Sequence, residues 1–170
     1  MTFAFRLAGA ALGACLAACP ALAMDLAAPE GRVLLTVSGE ISNTNAEGAA
    51  AFDMDMLQDL PAETVQTTTI WTEGEQTFVG VHLSALLDHV GAAQVTIHAT
   101  AINDYAVDIP HDDWSDEGPV LAYLRNGEPM SLRDKGPLWI IYPFDSDASF
   151  RTEVIYSRSI WQLDRIIVGD

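Results

Sequence analysis

Trp71, Asn103, Asp104, Tyr105, Arg133, Lys135 and Arg158 are of the types that together recognise a flat, hydrogen-bonding heterocycle. Such a ligand needs an aromatic face to stack on and a carboxylate to accept from its amino and ring N–H groups. It also needs cations or amides to meet its oxygens. Each residue has an ordinary structural role as well. Trp71 suits a core, Asp104 a turn, and the basic residues suit charge balance in an acidic chain.

Other chemistries find less support. His82, His89, His98 and His111 are spaced in no metal-ligand pattern, although His82 and His89 are placed to share a helix face. Asp145, Asp147 and Ser149 resemble a fragment of a calcium loop, but the glycine and terminal glutamate of that loop are missing, and a solvated acidic loop is expected. The acidic pairs Asp112-Asp113 and Asp116-Glu117 read the same way. No Gly-x-Ser-x-Gly elbow marks a serine nucleophile, and no glycine-rich phosphate loop is present. The 2 cysteines are Cys15 and Cys19, so beyond them the chain offers no thiolate nucleophile, disulfide, cysteine-ligated zinc or iron–sulfur site.

The segment that carries those cysteines has the layout of a secretory signal. Arg6 precedes an apolar run that ends at Pro20, and Ala21-Leu22-Ala23 offers the small-x-small pattern of signal cleavage. The expected organisation is a signal peptide over 1–23 and a single domain over 24–170, located in the periplasm. A minority reading takes Leu16-Ala17-Ala18-Cys19 as a lipobox, and membrane contact is expected only if Cys19 carries a lipid. The formal net charge of −16 repels phosphate backbones and excludes nucleic acid as an expected partner. It is compatible with plain solubility or with an acidic face for a basic partner.

The elements that must position the candidate residues read as short strands and helices. Strands are expected over Arg32 to Gly39, Thr64 to Thr72, Gln76 to Val81, Val95 to Ala101, Tyr105 to Ile109, Val120 to Leu124, Leu138 to Tyr142 and Ile160 to Val168. Phe52, Met56 and Leu60 are four residues apart before Pro61 and predict a short helix. Leu83 to Val90, closed by Gly91, is the clearest helix, and Ile41 to Ala51 reads as loop. Turns fall at Glu73-Gly74, Asn103-Asp104 and Asn126-Gly127. The total is an α+β fold with a mixed, partly barrel-like sheet and a few short helices.

The order of these pieces resembles the oxidoreductase molybdopterin-binding domain family, which has the sulfite-oxidase fold. The resemblance runs from about Thr67 to Val168. It passes through Phe78 to Leu87, Ala99 to Ile109, Val120 to Met130 and Gly136 to Pro143. It implies that a molybdenum-binding cysteine would stand near Thr68 or Thr69, where this sequence has threonine. A neutral hydroxyl does not supply the soft anionic sulfur of such a site, so no molybdenum is expected. The small cysteine-free periplasmic members are similar to pterin-binding regulators that signal to a membrane-bound partner. The resemblance therefore implies a reduced pterin or molybdopterin-like pterin held by Thr69, Trp71, Asn103, Asp104, Tyr105, Arg133, Lys135 and Arg158. The alternative it leaves is a molybdopterin-dependent oxidoreductase or subunit acting on a small periplasmic substrate; a ligand-free interaction domain is a third.

Overall fold

The computed structural model describes residues 26–114 and 118–169. The signal-like segment, the alternative lipid site at Cys19 and the Asp116-Glu117 pair lie outside the described residues.

Ten strands form two five-stranded sheets. The first runs in the order β2-β1-β10-β5-β6, from β1 (Leu35–Gly39), β2 (Ala49–Phe52), β5 (Ile97–Ala101), β6 (Ala106–Ile109) and β10 (Leu163–Val168). It is mixed, because β1 and β10 are parallel while the other pairings are antiparallel. The second runs β3-β4-β7-β8, from β3 (Ala62–Thr68), β4 (Glu75–His82), β7 (Val120–Arg125) and β8 (Glu128–Pro129), with β9 (Trp139–Ile141) also on β7. The mixed α+β class expected from the sequence is what forms, with the strands divided between two sheets and no closed barrel among the described residues. β2 falls at the end of the stretch expected to be loop, where Asn45 binds Ala51 through both its side-chain groups.

Alternation fixes which way the strands face. Leu35 and Val37 of β1 are buried while Thr36 and Ser38 are partly open. In β7, Leu121 and Tyr123 join the main core with Leu35, Val37, Val81 and Ile140. Val120 and Ala122 point the other way, into a smaller cluster with Phe78, Met130, Trp139 and Ile141. Burial on both faces explains why β7 reads as a near-continuous apolar run. Gly80 sits at a register shift between β4 and β7, and a Cβ there would lie 2.1 Å from the Leu121 carbonyl oxygen. Only glycine permits that approach.

The helices are α1 (Met54–Asp59), α2 (Leu83–His89) and α3 (Glu153–Arg158). Asp53 caps α1 by accepting the Met56 N–H at 3.0 Å, and the same carboxylate accepts the Gly31 N–H at 2.7 Å. Those bonds hold its pKa below the ordinary 3.8. α2 buries Leu83, Leu86 and Leu87 and ends at Gly91, whose φ of +62° needs glycine. α3 has no counterpart in the sequence expectation. It buries Ile155 alone, too little for an apolar period, and it starts on the Thr152 side chain, which accepts the Ile155 N–H at 3.3 Å. No helix among the described residues is long and apolar enough to cross a membrane.

Candidate functional site

A cavity of about 370 Å³ opens where the ends of the two sheets meet. That volume is in the range of small-molecule sites, roughly 300–1,000 Å³. Its lining comes from three places: Trp71 in the β3–β4 connection, Ala101, Asn103 and Tyr105 at the β5–β6 turn, and Tyr156, Ser157, Ser159, Ile160 and Trp161 in and after α3.

Backbone bonds hold these three segments in place. The Asp104 N–H donates to the Ala101 carbonyl at 2.9 Å, and Asp104 takes a φ of +65°, which turns the chain between Asn103 and Tyr105. An aspartate tolerates that left-handed conformation better than most residues. The Ile140 N–H donates to the Ile160 carbonyl at 2.9 Å, and Trp139 bridges Trp161, so the connection between α3 and β10 is fastened to β9 of the second sheet.

Trp71 is the centre of an aromatic cluster. Its ring lies 5.6 Å from Trp161, 5.8 Å from Trp139, 5.9 Å from Tyr156 and 6.3 Å from Phe144, all edge-on. Trp71 is only partly buried by these rings, so some of its indole surface faces the cavity. Tyr105 is 52% exposed.

The polar groups of the lining are neutral. The Ser157 hydroxyl donates to the Val154 carbonyl at 2.6 Å and the Ser159 hydroxyl to the Ile155 carbonyl at 3.1 Å. Both protons are committed to the helix; Ser159 is buried, and exposed Ser157 offers a ligand lone pairs. Asn103 accepts the Tyr105 N–H on its side-chain oxygen at 3.2 Å. The lining thus combines aromatic surface with neutral hydrogen-bonding groups.

Of the residues singled out by sequence, Trp71, Asn103 and Tyr105 line the cavity; the others do not. Thr69 stands behind Trp71: its hydroxyl accepts the Trp71 N–H at 3.1 Å and is hydrogen-bonded to the Thr72 hydroxyl at 2.8 Å. Asp104 pairs with Arg165 at 2.6 Å, with its side chain 85% exposed. Arg158 donates to the Asp113 carboxylate at 2.6 Å and to the Asp108 carbonyl at 3.1 Å. The Tyr142 hydroxyl reaches the same Asp113 oxygen at 3.4 Å, and burial first, then the Asp113 charge, pushes the pKa of that phenol far up. Lys135 places its ammonium 4.0 Å from the Trp161 ring centre and 5.6 Å from that of Trp139. Desolvation and the nearby Arg125 push its pKa down. Arg133 is exposed on the turn Leu132–Asp134. Tyr156, Ser157 and Ser159 are not among the sequence candidates because α3 has no apolar period to mark it, and Ile160 and Trp161 read there only as the start of a strand. The available signal was Thr152 followed by Glu153, a cap with an acid in the first turn.

The metal expectations can be tested on donor chemistry. Thr68 ends β3 with its N–H and hydroxyl both donating to Asp145, at 2.5 and 2.9 Å, and Thr69 is tied within its own turn. No thiol stands at either position, so these residues do not fit a molybdenum site that uses a cysteine sulfur. Those Thr68 bonds hold the Asp145 carboxyl below its ordinary pKa, and Asp147 accepts the Ser149 N–H as a turn cap. The histidines are dispersed: His82 bonds Ser84, His89 packs near Phe52, His98 pairs with Asp108 and His111 sits on Trp114. No group of three or more His, Cys, Asp or Glu is placed to hold a metal among the described residues.

No protein-family model matches the chain, and no curated protein matches it. Among solved structures, the chain is similar to the sulfane dehydrogenase SoxCD from Paracoccus pantotrophus, at 17% sequence identity and a TM-score of 0.58. The match covers 80% of this chain and 38% of that one, so the chain spans well under half the length of its structural neighbour. At that identity the likeness concerns the fold alone: the chain shares the mixed α+β architecture of that neighbour.

Proposed function

We propose that the protein is a periplasmic module that captures a reduced pterin without molybdenum and regulates or serves a membrane-bound signalling partner. The observation that carries this reading is the cavity walled by Trp71, Tyr105, Tyr156 and Trp161, built on a fold whose expected sulfur position is occupied by hydrogen-bonded threonine. Trp71 and Tyr105 stack on the ring. Asn103 and the Ser157 lone pairs meet its hydrogen-bonding edge. Thr69, Asp104 and Arg158 position those residues rather than touch the ligand. When bound, a reduced pterin supplies a planar, redox-active ring, and this chain supplies stacking and exclusion of water.

The second reading is a molybdopterin-dependent oxidoreductase or subunit. It is favoured by the likeness to the sulfane dehydrogenase SoxCD. It is disfavoured by the donor set at Thr68 and Thr69.

Native protein recovered from periplasmic extract, analysed for molybdenum and for pterin fluorescence after oxidation, decides between them. The expected result is pterin without molybdenum. Stoichiometric molybdenum would overturn the proposal.

A further inference from the structure

Resting on the pterin reading of this cavity, we propose that the site selects uncharged rings and refuses ligands that carry a phosphate or carboxylate tail. The family resemblance points the other way, because molybdopterin bears a phosphate that calls for a cationic subsite. The sequence offers Arg133, Lys135 and Arg158 for that task. The structure gives two of them other work, and none of the three lines the cavity.

Arg158 is the informative case. It lies between two lining residues, Ser157 and Ser159, yet its guanidinium is bound to Asp113 and to the Asp108 carbonyl. Arg165 is committed in the same way, to Asp104 and to the carbonyl of Ala101. Both arginines brace the cavity wall from outside, one at α3 and one at the β5–β6 turn. Lys135 is held on the rings of Trp139 and Trp161. The lining itself holds no charged residue.

Two further facts act against an anion. Both serine hydroxyls direct their protons to helix carbonyls; Ser159 is buried and Ser157 presents lone pairs, which a phosphate oxygen does not bond. The remaining donors, the Asn103 amide and the indole and phenol groups, are neutral and suit a ring carbonyl. The chain as a whole carries −16, so an anion approaches against the field while a neutral ring does not.

Calorimetric titration with two pairs of probes tests this: dihydroneopterin against its monophosphate, and riboflavin against its 5′-phosphate. The expected result is that the purified protein binds dihydroneopterin at least about tenfold more tightly than the phosphate ester. Equal or tighter binding of the ester would overturn the proposal. If neither pterin binds but riboflavin is preferred over its phosphate by the same margin, the pterin reading fails and charge selection stands. If none of the four binds, both fall. The variant Lys135→Gln guards against a swinging lysine: the dihydroneopterin-to-ester ratio should stay unchanged, and a rise in that ratio would mean that Lys135 serves as the anion contact.

Discussion

Two aromatic residues that the sequence put in one site do different physical work. Trp71 touches Trp139, Phe144, Tyr156 and Trp161, so it is both ligand surface and packing centre. Tyr105 is half in water and has few groups to leave unsupported. Trp71→Ala is therefore expected to cost about 2–4 kcal/mol of folding stability, the lower end reflecting its partial exposure. Tyr105→Ala should change stability by less than about 1 kcal/mol yet weaken ligand binding about tenfold. Urea unfolding and a dihydroneopterin titration on the two variants measure both effects. Equal losses of stability would mean that Tyr105 is a core residue and its exposure misleading. Sequence alone could not separate them, since an aromatic at a strand end reads the same whether its neighbours are rings or water. The basic residues show the same limit. Arg158 has the chemistry of an anion contact, and only the position of Asp113, 45 residues away, reveals that it braces α3.

At the scale of elements, legibility followed burial. The helix Leu83–His89 buries three leucines at helical spacing and was readable. So was the Asn126-Gly127 turn, where both residues have positive φ. α3 buries Ile155 alone and has no period to detect, yet it supplies a wall of the cavity. Its C-terminal end depends on polar anchorage through Arg158, Asp113 and Tyr142. Asp113→Asn keeps the shape but removes the charge that Arg158 needs. Both side chains keep about a fifth of their surface in water, so the loss is discounted from that of a buried pair to about 1–3 kcal/mol. The expected signature is local: faster hydrogen exchange over Glu153–Arg158 and weaker ligand binding, with the exchange of β7 unchanged. Uniform acceleration across both elements would show that the anchor supports the whole fold. The division into two sheets was also hidden, because strand periodicity says which face is buried and nothing about which strands are neighbours.

For the whole molecule, two acid effects oppose each other. Lowering the pH from 7 protonates carboxylates and relaxes the self-repulsion of a chain with 24 acidic and 8 basic residues, which favours the compact state. Against this, Asp145 is held below its ordinary pKa of 3.8 by the Thr68 N–H and hydroxyl, and Asp53 below the same value by the Met56 and Gly31 N–H groups. A carboxyl with a depressed folded pKa contributes stability that is complete above its ordinary value and is lost as the pH falls through the folded one. The two effects therefore occupy different windows: relief of repulsion above about pH 4, and loss of the Asp53 and Asp145 bonds below it. Salt weakens only the first strongly, because the Debye length shrinks from about 30 Å at 0.01 M to about 3 Å at 1 M, while those bonds are direct contacts. Urea midpoints between pH 3 and 7 should rise slightly toward pH 5 at low salt, lie flat over the same range at high salt, and drop below about pH 4 in both. Asp145→Asn should soften the acid drop without changing the salt-dependent rise. An acid drop that high salt abolished would place its origin in net charge, and Asp53 and Asp145 would then not be the groups that set the acid limit.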